Sequence, residues 1–352
     1  MAIDQQRLEN FLHRYIADVG AAMSATLVLI GDRLGLYRAL AEIGPATPAE
    51  LATKTRCAER YIREWLAAQA AGGYVEYDSA TGRFYLNEEQ AFALTHQDSP
   101  VDIAGGFLIA AAMVKSEPKL RQAFRFGHGV GWHEHASELF EGTERVFRPN
   151  YATNLVNSWI PALDGVEDRL QKGARVADVG CGHGSSTILM AQAYPNSEFY
   201  GFDYHASSIE VARMRAKAAG VSDRVKFEVA AATDFPGGDY DLVAFFDALH
   251  DLGDPEGAAR RTLRALDRTG TWMVVEPFAG DKLENNLNPL GRMYYSASTM
   301  FCTPGSLAQD VGAALGAQAG EERIRGIAHA AGFSAFRRAA ETPLNVVYEI
   351  RP

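Results

Sequence analysis

The sequence is poor in cysteine and in positive charge. Its three cysteines, Cys57, Cys181 and Cys302, are odd in number and far apart. No disulfide framework is expected, and a reducing, cytoplasmic setting is. Lys and Arg number 34 against 44 Asp and Glu, a formal net charge of −10. That balance disfavours a phosphate backbone as principal partner and favours a small or apolar one. No apolar stretch reads as long enough to span a bilayer. The opening residues lack the basic and apolar blocks of a signal peptide, so no membrane partner is expected. A hydrophobic content of 47% and a charged content of 22% in 352 residues suit an ordinary globular chain of two domains.

What is present is concentrated in one run, Val176-Ala177-Asp178-Val179-Gly180-Cys181-Gly182-His183-Gly184. It reads as a buried strand ending in a glycine turn, followed by a helical pattern over Ser185 to Tyr194. Glycine lets the chain turn tightly and lets a ligand approach the backbone. A strand, such a turn and a helix N-terminus together can hold the polar part of a nucleotide-like ligand. The spacing Asp-x-Gly-x-Gly-x-Gly resembles the first motif of class I S-adenosylmethionine-dependent methyltransferases. It departs from the dinucleotide pattern Gly-x-Gly-x-x-Gly. A second apolar run, Glu198 to Phe202, ends in Asp203 about twenty residues on, where an acid can accept from both ribose hydroxyls. The alternative for Asp203 is a helix cap for the pattern from Ser207 to Ala219.

Upstream, Ala25 to Ile43 has amphipathic periodicity. Thr47-Pro48-Ala49-Glu50 is a helix start with capping-box spacing. A further helix spans Glu59 to Ala71 and stops at Gly72-Gly73. Strands over 74–77 and 83–86 flank a turn. Three helices and a hairpin make a winged helix, which suggests DNA binding through the third helix. That helix, however, carries Glu59 and Glu64 beside Arg60 and Arg63. The segment resembles the N-terminal domain of small-molecule O-methyltransferases, and the resemblance implies a homodimer rather than a nucleic-acid partner.

Residues from about 99 to 170 read as helical with breaks, including an apolar helix over Val101 to Val114. In Trp132-His133-Glu134-His135 the two histidines, two apart, do not share a helix face and no third ligand is near. No metal site is expected; His133 and His135 are instead candidates for substrate contact, or for helix ends. Tyr151 is a candidate contact for the methionine end of the cofactor and Asn154 for substrate, with helix packing as the alternative for both.

From Arg175 strand and helix alternate, with strands expected near 175–180, 198–202, 225–229, 241–246, 271–276 and 345–350, the last at an edge. Alternation of this kind argues for a doubly wound, mainly parallel sheet, with ligands at the carboxyl ends of the strands. After the third strand, relatives of this kind place an aspartate where Ala231 stands, so Ala232, Thr233 or Asp234 is left to read adenine. After the fourth strand, Leu249-His250-Asp251-x-x-Asp254-Pro255 resembles the same O-methyltransferase family, in which the histidine is the general base. Glu276 matches the family's acid that orients it, and Asp251 is the other candidate. A structural role for His250 remains the alternative. The segment from Asp281 to Gly320, with Met293, Tyr294 and Tyr295, suits an acceptor roof or a packed helix.

The whole order resembles an actinobacterial group of class I methyltransferases that is often labelled as transcriptional regulators. The resemblance implies a Rossmann-like α/β methyltransferase domain with a seven-stranded sheet over 171–352, a winged-helix dimerisation domain over 1–97 and a helical connector over 98–170. It implies S-adenosylmethionine as cofactor, S-adenosylhomocysteine as product and a small apolar or aromatic acceptor, methylated at oxygen. Cofactor contacts are expected from Asp178, Gly180, Cys181, Gly182, Gly184, Asp203, Tyr204, Phe246 and Asp247, with Tyr151. The competing readings are a winged-helix regulator using the cofactor or a metabolite as effector, and a nicotinamide-dependent oxidoreductase.

Overall fold

A computed structural model describes residues 3–95 and 101–352; the expected boundary at 97/98 lies outside the described residues. The chain forms two compact units. One comprises Met1–Val114 with Ala136–Pro149, the other Lys115–His135 with Asn150–Pro352. Residues 101–114 and 136–149 fall in the first unit, and 115–135 and 150–170 in the second.

The first unit opens with α1 (Gln5–Arg33), α2 (Leu36–Ile43), α3 (Pro48–Thr55) and α4 (Glu59–Ala71), then the hairpin β1 (Glu76–Asp78) and β2 (Arg83–Tyr85), then α5 (Glu88–Thr95). The single helix expected over Ala25 to Ile43 is two helices. Gly35 breaks them with φ +67°, a conformation strained for any residue with a Cβ. The capping box forms as its spacing implies: Glu50 N donates to Thr47 Oγ1 at 3.3 Å and Thr47 N to Glu50 Oε2 at 2.7 Å. Val28, Leu36, Leu40, Leu51, Ile62 and Leu66 make the core, and Tyr37 Oη donates to Gln69 Oε1 at 2.6 Å within it.

Two features of this unit escape the sequence pattern. Arg145 donates to both oxygens of Asp32 (2.7 and 3.2 Å) and both of Asp102 (2.8 and 3.0 Å). And α1 extends far beyond its expected start, exposing Leu8, Phe11, Leu12, Tyr15, Ile16, Met23 and Ile30. Among the described residues α1 is the one helix long and apolar enough, by length and composition, to cross a bilayer. That corrects the expectation that no such stretch exists.

Beyond these come α6 (Ala104–Phe126), longer than expected and begun by Asp102 Oδ1 accepting from Ala104 N at 3.1 Å, then α7 (Ser137–Asn154) and α8 (Val166–Lys172). The second unit is built on β3 (Arg175–Val179), β4 (Glu198–Asp203), β5 (Val225–Val229), β6 (Tyr240–Phe246), β7 (Leu266–Pro277), β8 (Ala335–Glu341) and β9 (Asn345–Arg351). Its helices are α9 (Ser185–Ala193), α10 (Ala206–Ala218), α11 (Pro255–Ala265), the short α12 (Pro289–Ala297) and α13 (Thr303–Leu307), and α14 (Glu321–Ala331).

The strand order is β5-β4-β3-β6-β7-β9-β8. The first five strands run parallel, while β9 is antiparallel to β7 and β8 to β9. The strand expected at the edge is thus interior. Val346, Val347, Tyr348 and Ile350 are all buried, as the continuous apolar run of a strand covered on both faces requires. The true edge, β8, was not expected, because Ala-Phe-Arg-Arg-Ala-Ala-Glu has little β-propensity of its own. Pairing with β9 holds it. The order reverses between β3 and β6, so the ligand crevice of such a sheet lies at the carboxyl ends of these two strands.

Candidate active site

The glycine turn closes β3 onto β4. The N–H groups of Gly180 and Cys181 both donate to Phe202 O, at 2.8 and 3.1 Å. Gly180, Gly182 and Gly184 all have left-handed φ (79°, 52° and 79°), but they differ in surroundings. A Cβ on Gly180 would stand 2.7 Å from Ala248 Cβ, and one on Gly184 2.6 Å from Phe227 Cζ. A Cβ on Gly182 would meet nothing within 4 Å. The outer glycines let the strand and helix pack; the middle one faces open space at the N-terminus of α9.

Asp178 stands in β3 just before the turn. It is fully buried, and its Oδ2 accepts from Ser186 Oγ and Thr187 Oγ1, both at 2.6 Å. Burial lifts its pKa to about 6 against these hydrogen bonds. Its carboxylate pins the first turn of α9 to β3, a role its residue type alone does not reveal.

Asp203, at the end of β4, accepts from Gly182 N at 3.0 Å through Oδ2 and from His205 N at 2.8 Å through Oδ1. It is not the cap of α10; His205 holds that position. Two backbone donors leave about half of the carboxylate's lone-pair sites for a ligand. Tyr204 follows, exposed, while Cys181 is buried. Ala232, Thr233 and Asp234 lie in an open turn after β5, closed by Asp234 N donating to Ala231 O at 3.0 Å.

At the end of β6 the chain turns on Asp247, itself at φ +49°. Asp247 Oδ2 accepts from Tyr151 Oη at 2.8 Å, and its Oδ1 accepts from Asn345 Nδ2 at 2.7 Å. Asn345 Oδ1 in turn accepts from Asn150 Nδ2 at 2.7 Å, and Asn154 Nδ2 donates to Asn150 Oδ1 at 2.9 Å. Tyr151, Asn154 and Asp247 are thereby joined in one network. Asn150 and Asn345, which complete it, carry no sequence signal. Burial, and then the charge of Glu276, raise the Asp247 pKa to about 7. The Tyr151 ring lies 5.5 Å from that of the buried Phe246.

His250 lies in a single helical turn just beyond. Its Nδ1 is 2.6 Å from Glu276 Oε2, and Glu276 Oε1 accepts from Leu249 N at 3.0 Å. Its Nε2 is 3.2 Å from Asp251 Oδ1. Both expected acids therefore flank the ring, one on each nitrogen. Burial opposes the imidazolium charge, but the two carboxylates outweigh it and hold the His250 pKa well above its ordinary value. Cys302, absent from the expected set, joins them, and burial and then the charge of Asp251 push its thiol up to about 12.

Asn154, an expected acceptor residue, belongs to the network on Asp247 described above; the other expected acceptor residues differ in their surroundings. His133 is exposed, whereas His135 is buried, its Nδ1 2.9 Å from Ser116 Oγ and its ring edge-on to Phe301 at 5.0 Å. Burial lowers the His135 pKa to about 4. Trp132 stacks on the same Phe301 at 6.4 Å. Tyr294 Oη donates to Leu344 O at 2.8 Å, Tyr295 is partly buried and Met293 is exposed.

A doubly wound sheet with a glycine turn and an acid at its switch point defines a domain for nucleoside-type ligands. Residues 170–332 match the family model described as a methyltransferase domain, and residues 22–96 that of an Rv2258c-like winged HTH domain. The chain thus carries a segment similar to methyltransferase domains and, upstream of it, one similar to Rv2258c-like winged HTH domains. Among curated proteins it is 31% identical over 153 residues to the 27-O-demethylrifamycin SV methyltransferase of Amycolatopsis mediterranei, covering 43% of this chain and 50% of that protein. The chain spans between a fifth and about half of the length of the curated relatives it matches. Among solved structures, mitomycin 7-O-methyltransferase MmcR superposes with a TM-score of 0.72 at 19% identity, covering 99% of this chain and all of that one. Human N-acetylserotonin methyltransferase, solved with SAM, superposes with a TM-score of 0.69 at 17% identity over 100% and 99% of the two chains.

Proposed function

We propose that this protein transfers a methyl group from S-adenosylmethionine to a hydroxyl of a small apolar or aromatic acceptor. The observation that carries the reading is His250, clamped between Glu276 and Asp251 beside the switch point. When bound, S-adenosylmethionine supplies an electrophilic methyl group on a sulfonium centre. The residues present suit it: Gly182 leaves open space at a helix N-terminus, Asp203 keeps acceptor capacity for ribose hydroxyls, and Ala232 to Asp234 offer backbone groups for adenine. Tyr151 and Asp247, fixed by Asn345, line up for the amino-acid end.

His250 takes the acceptor proton at Nε2 once the ring is neutral. Glu276 fixes the tautomer by accepting from Nδ1–H and stabilises the imidazolium that forms. Asp251, at Nε2, orients the incoming hydroxyl. Positioning acceptor and donor in line supplies much of the remaining rate. The test is turnover of His250→Ala on a panel of phenols, alongside its binding of S-adenosylhomocysteine. Unchanged turnover with intact binding removes the base.

We further propose a homodimer through the N-terminal unit in a reducing compartment. The exposed apolar face of α1 supports the first, and three free cysteines support the second. The regulator reading has the winged helix in its favour. Against it, Arg60 of α4 pairs with Glu64 at 2.5 Å and Arg63 with Glu59 at 2.6 Å. The cations that would meet phosphate are engaged within their own helix.

A further inference from the structure

We propose that His250, Asp251 and Cys302 form a binding site for one thiophilic divalent cation, Zn2+ foremost. The donor atoms Nε2, Oδ1 and Sγ all lie within 4.8 Å of one another, the one such cluster among the described residues. Tetrahedral zinc bonds of about 2.0–2.3 Å place donors roughly 3.3–3.8 Å apart, so the three need move by only about an ångström to share an ion.

Three further features favour a metal. His250 Nδ1 already contacts a carboxylate, Glu276 Oε2 at 2.6 Å, the outer partner that fixes tautomer and ring orientation in histidine-ligated sites. The Asp251 carboxylate takes the Cys302 thiol, yet its buried Oδ1, although 3.2 Å from Nε2, has no well-aligned hydrogen bond, and a buried acceptor without one calls for a partner. And one nitrogen, one carboxylate oxygen and one sulfur form a set that selects zinc or cobalt over magnesium or calcium. Three protein ligands leave a fourth position for water or an exogenous oxygen.

Binding is proton exchange without redox. The ion takes the Nε2 lone pair and the Cys302 thiolate, and the protons held at Nε2 and Sγ pass to solvent. With Nε2 coordinated, the ring cannot accept a proton from an acceptor hydroxyl, so the ion switches that step off until it is chelated. This inhibitory consequence rests on the proposed function; the site itself does not.

The test is a titration of the full-length, metal-stripped protein with Co2+, followed optically. The expected result is tetrahedral d–d absorption and a thiolate-to-cobalt charge-transfer band, saturating at one equivalent and displaced by Zn2+. Cys302→Ser abolishes the charge-transfer band, and Glu276→Gln weakens Zn2+ binding by about 10–100-fold. Should Cys302→Ser fail to fold, Asp251→Asn weakens the ion while keeping the band, and Cys57→Ser leaves both unchanged. No charge-transfer band, or a band that survives in folded Cys302→Ser, overturns the site. Calorimetric binding of S-adenosylhomocysteine to the same protein separates that failure from a failure of the proposed function.

Discussion

His250 Nδ1 and Glu276 Oε2 stand 2.6 Å apart, both side chains about 95% buried, the one in the helical turn after β6 and the other near the end of β7. The pair binds a proton more tightly than free imidazole does. Methyl transfer that uses this base therefore rises with pH through a value well above 6.5. Glu276→Gln removes one of the two charges that hold the proton, and the inflection of the rate–pH profile moves down by about 1–3 units. An unmoved inflection in the variant assigns the ionisation to another group.

The same pair has a stability signature. A base whose pKa is raised on folding contributes stability that is full below its unfolded value, near 6.5, and is lost as pH climbs through the folded one. The melting-temperature gap between the natural protein and Glu276→Gln is then widest at pH 6 and narrows towards alkaline pH. Thermal unfolding across that range checks the sign.

The three turn glycines separate into two kinds of variant. Gly184→Ala drives a Cβ to 2.6 Å from Phe227 at left-handed φ. It combines backbone strain with overpacking, a loss on the order of 2–5 kcal/mol. Gly182→Ala meets no atom, so its stability loss is confined to about 1–2 kcal/mol of strain, while its methyl enters the space left for the cofactor. Urea unfolding and S-adenosylhomocysteine binding together distinguish the two: stability fails first in one, affinity in the other.

Arg145 is the hinge of the first unit's polar interior. Its removal leaves Asp32 and Asp102 without their partner in a largely buried site. Arg145→Ala is expected to lose about 3–5 kcal/mol, measured as a drop in the denaturation midpoint. A near-neutral outcome shows that water reaches the two carboxylates.

Two occupants of the α1 face would leave different signatures. As a dimer contact, it gives a solution mass twice that of the chain by light scattering. Phe11→Glu with Ile16→Glu shifts that mass towards the monomer and lowers retention on anionic vesicles by nothing, since none is retained. Vesicle binding by the natural protein, with a monomeric mass, assigns the face to a membrane instead. Gel-shift with genomic fragments tests the regulator reading in the same way, and retention at moderate salt supports it.

Much of the second unit was legible because its signals are local. The Asp178-to-Gly184 turn, the acid at Asp203, and the strands near 198–202 and 225–229 each declare themselves within a few residues. What was not legible depends on distant partners. β8 is a strand because β9 pairs with it, against its own propensity. Asn345 and Asn150 matter through a hydrogen-bond chain that no spacing encodes. Cys302 reaches His250 only through the fold. The hydrogen bonds of Asp178 to Ser186 and Thr187 likewise follow from the fold and not from its place near a strand end. At Gly35 one left-handed residue split a helix whose apolar period runs on unbroken.

The central claim is a cofactor held between the glycine turn and Asp203. Isothermal titration of the purified protein with S-adenosylmethionine, S-adenosylhomocysteine and NADH, beside Asp203→Ala, tests it most directly. Micromolar binding of both adenosyl ligands, lost in the variant and absent for NADH, is the predicted result. No heat with either adenosyl ligand, or binding of NADH in their place, contradicts it.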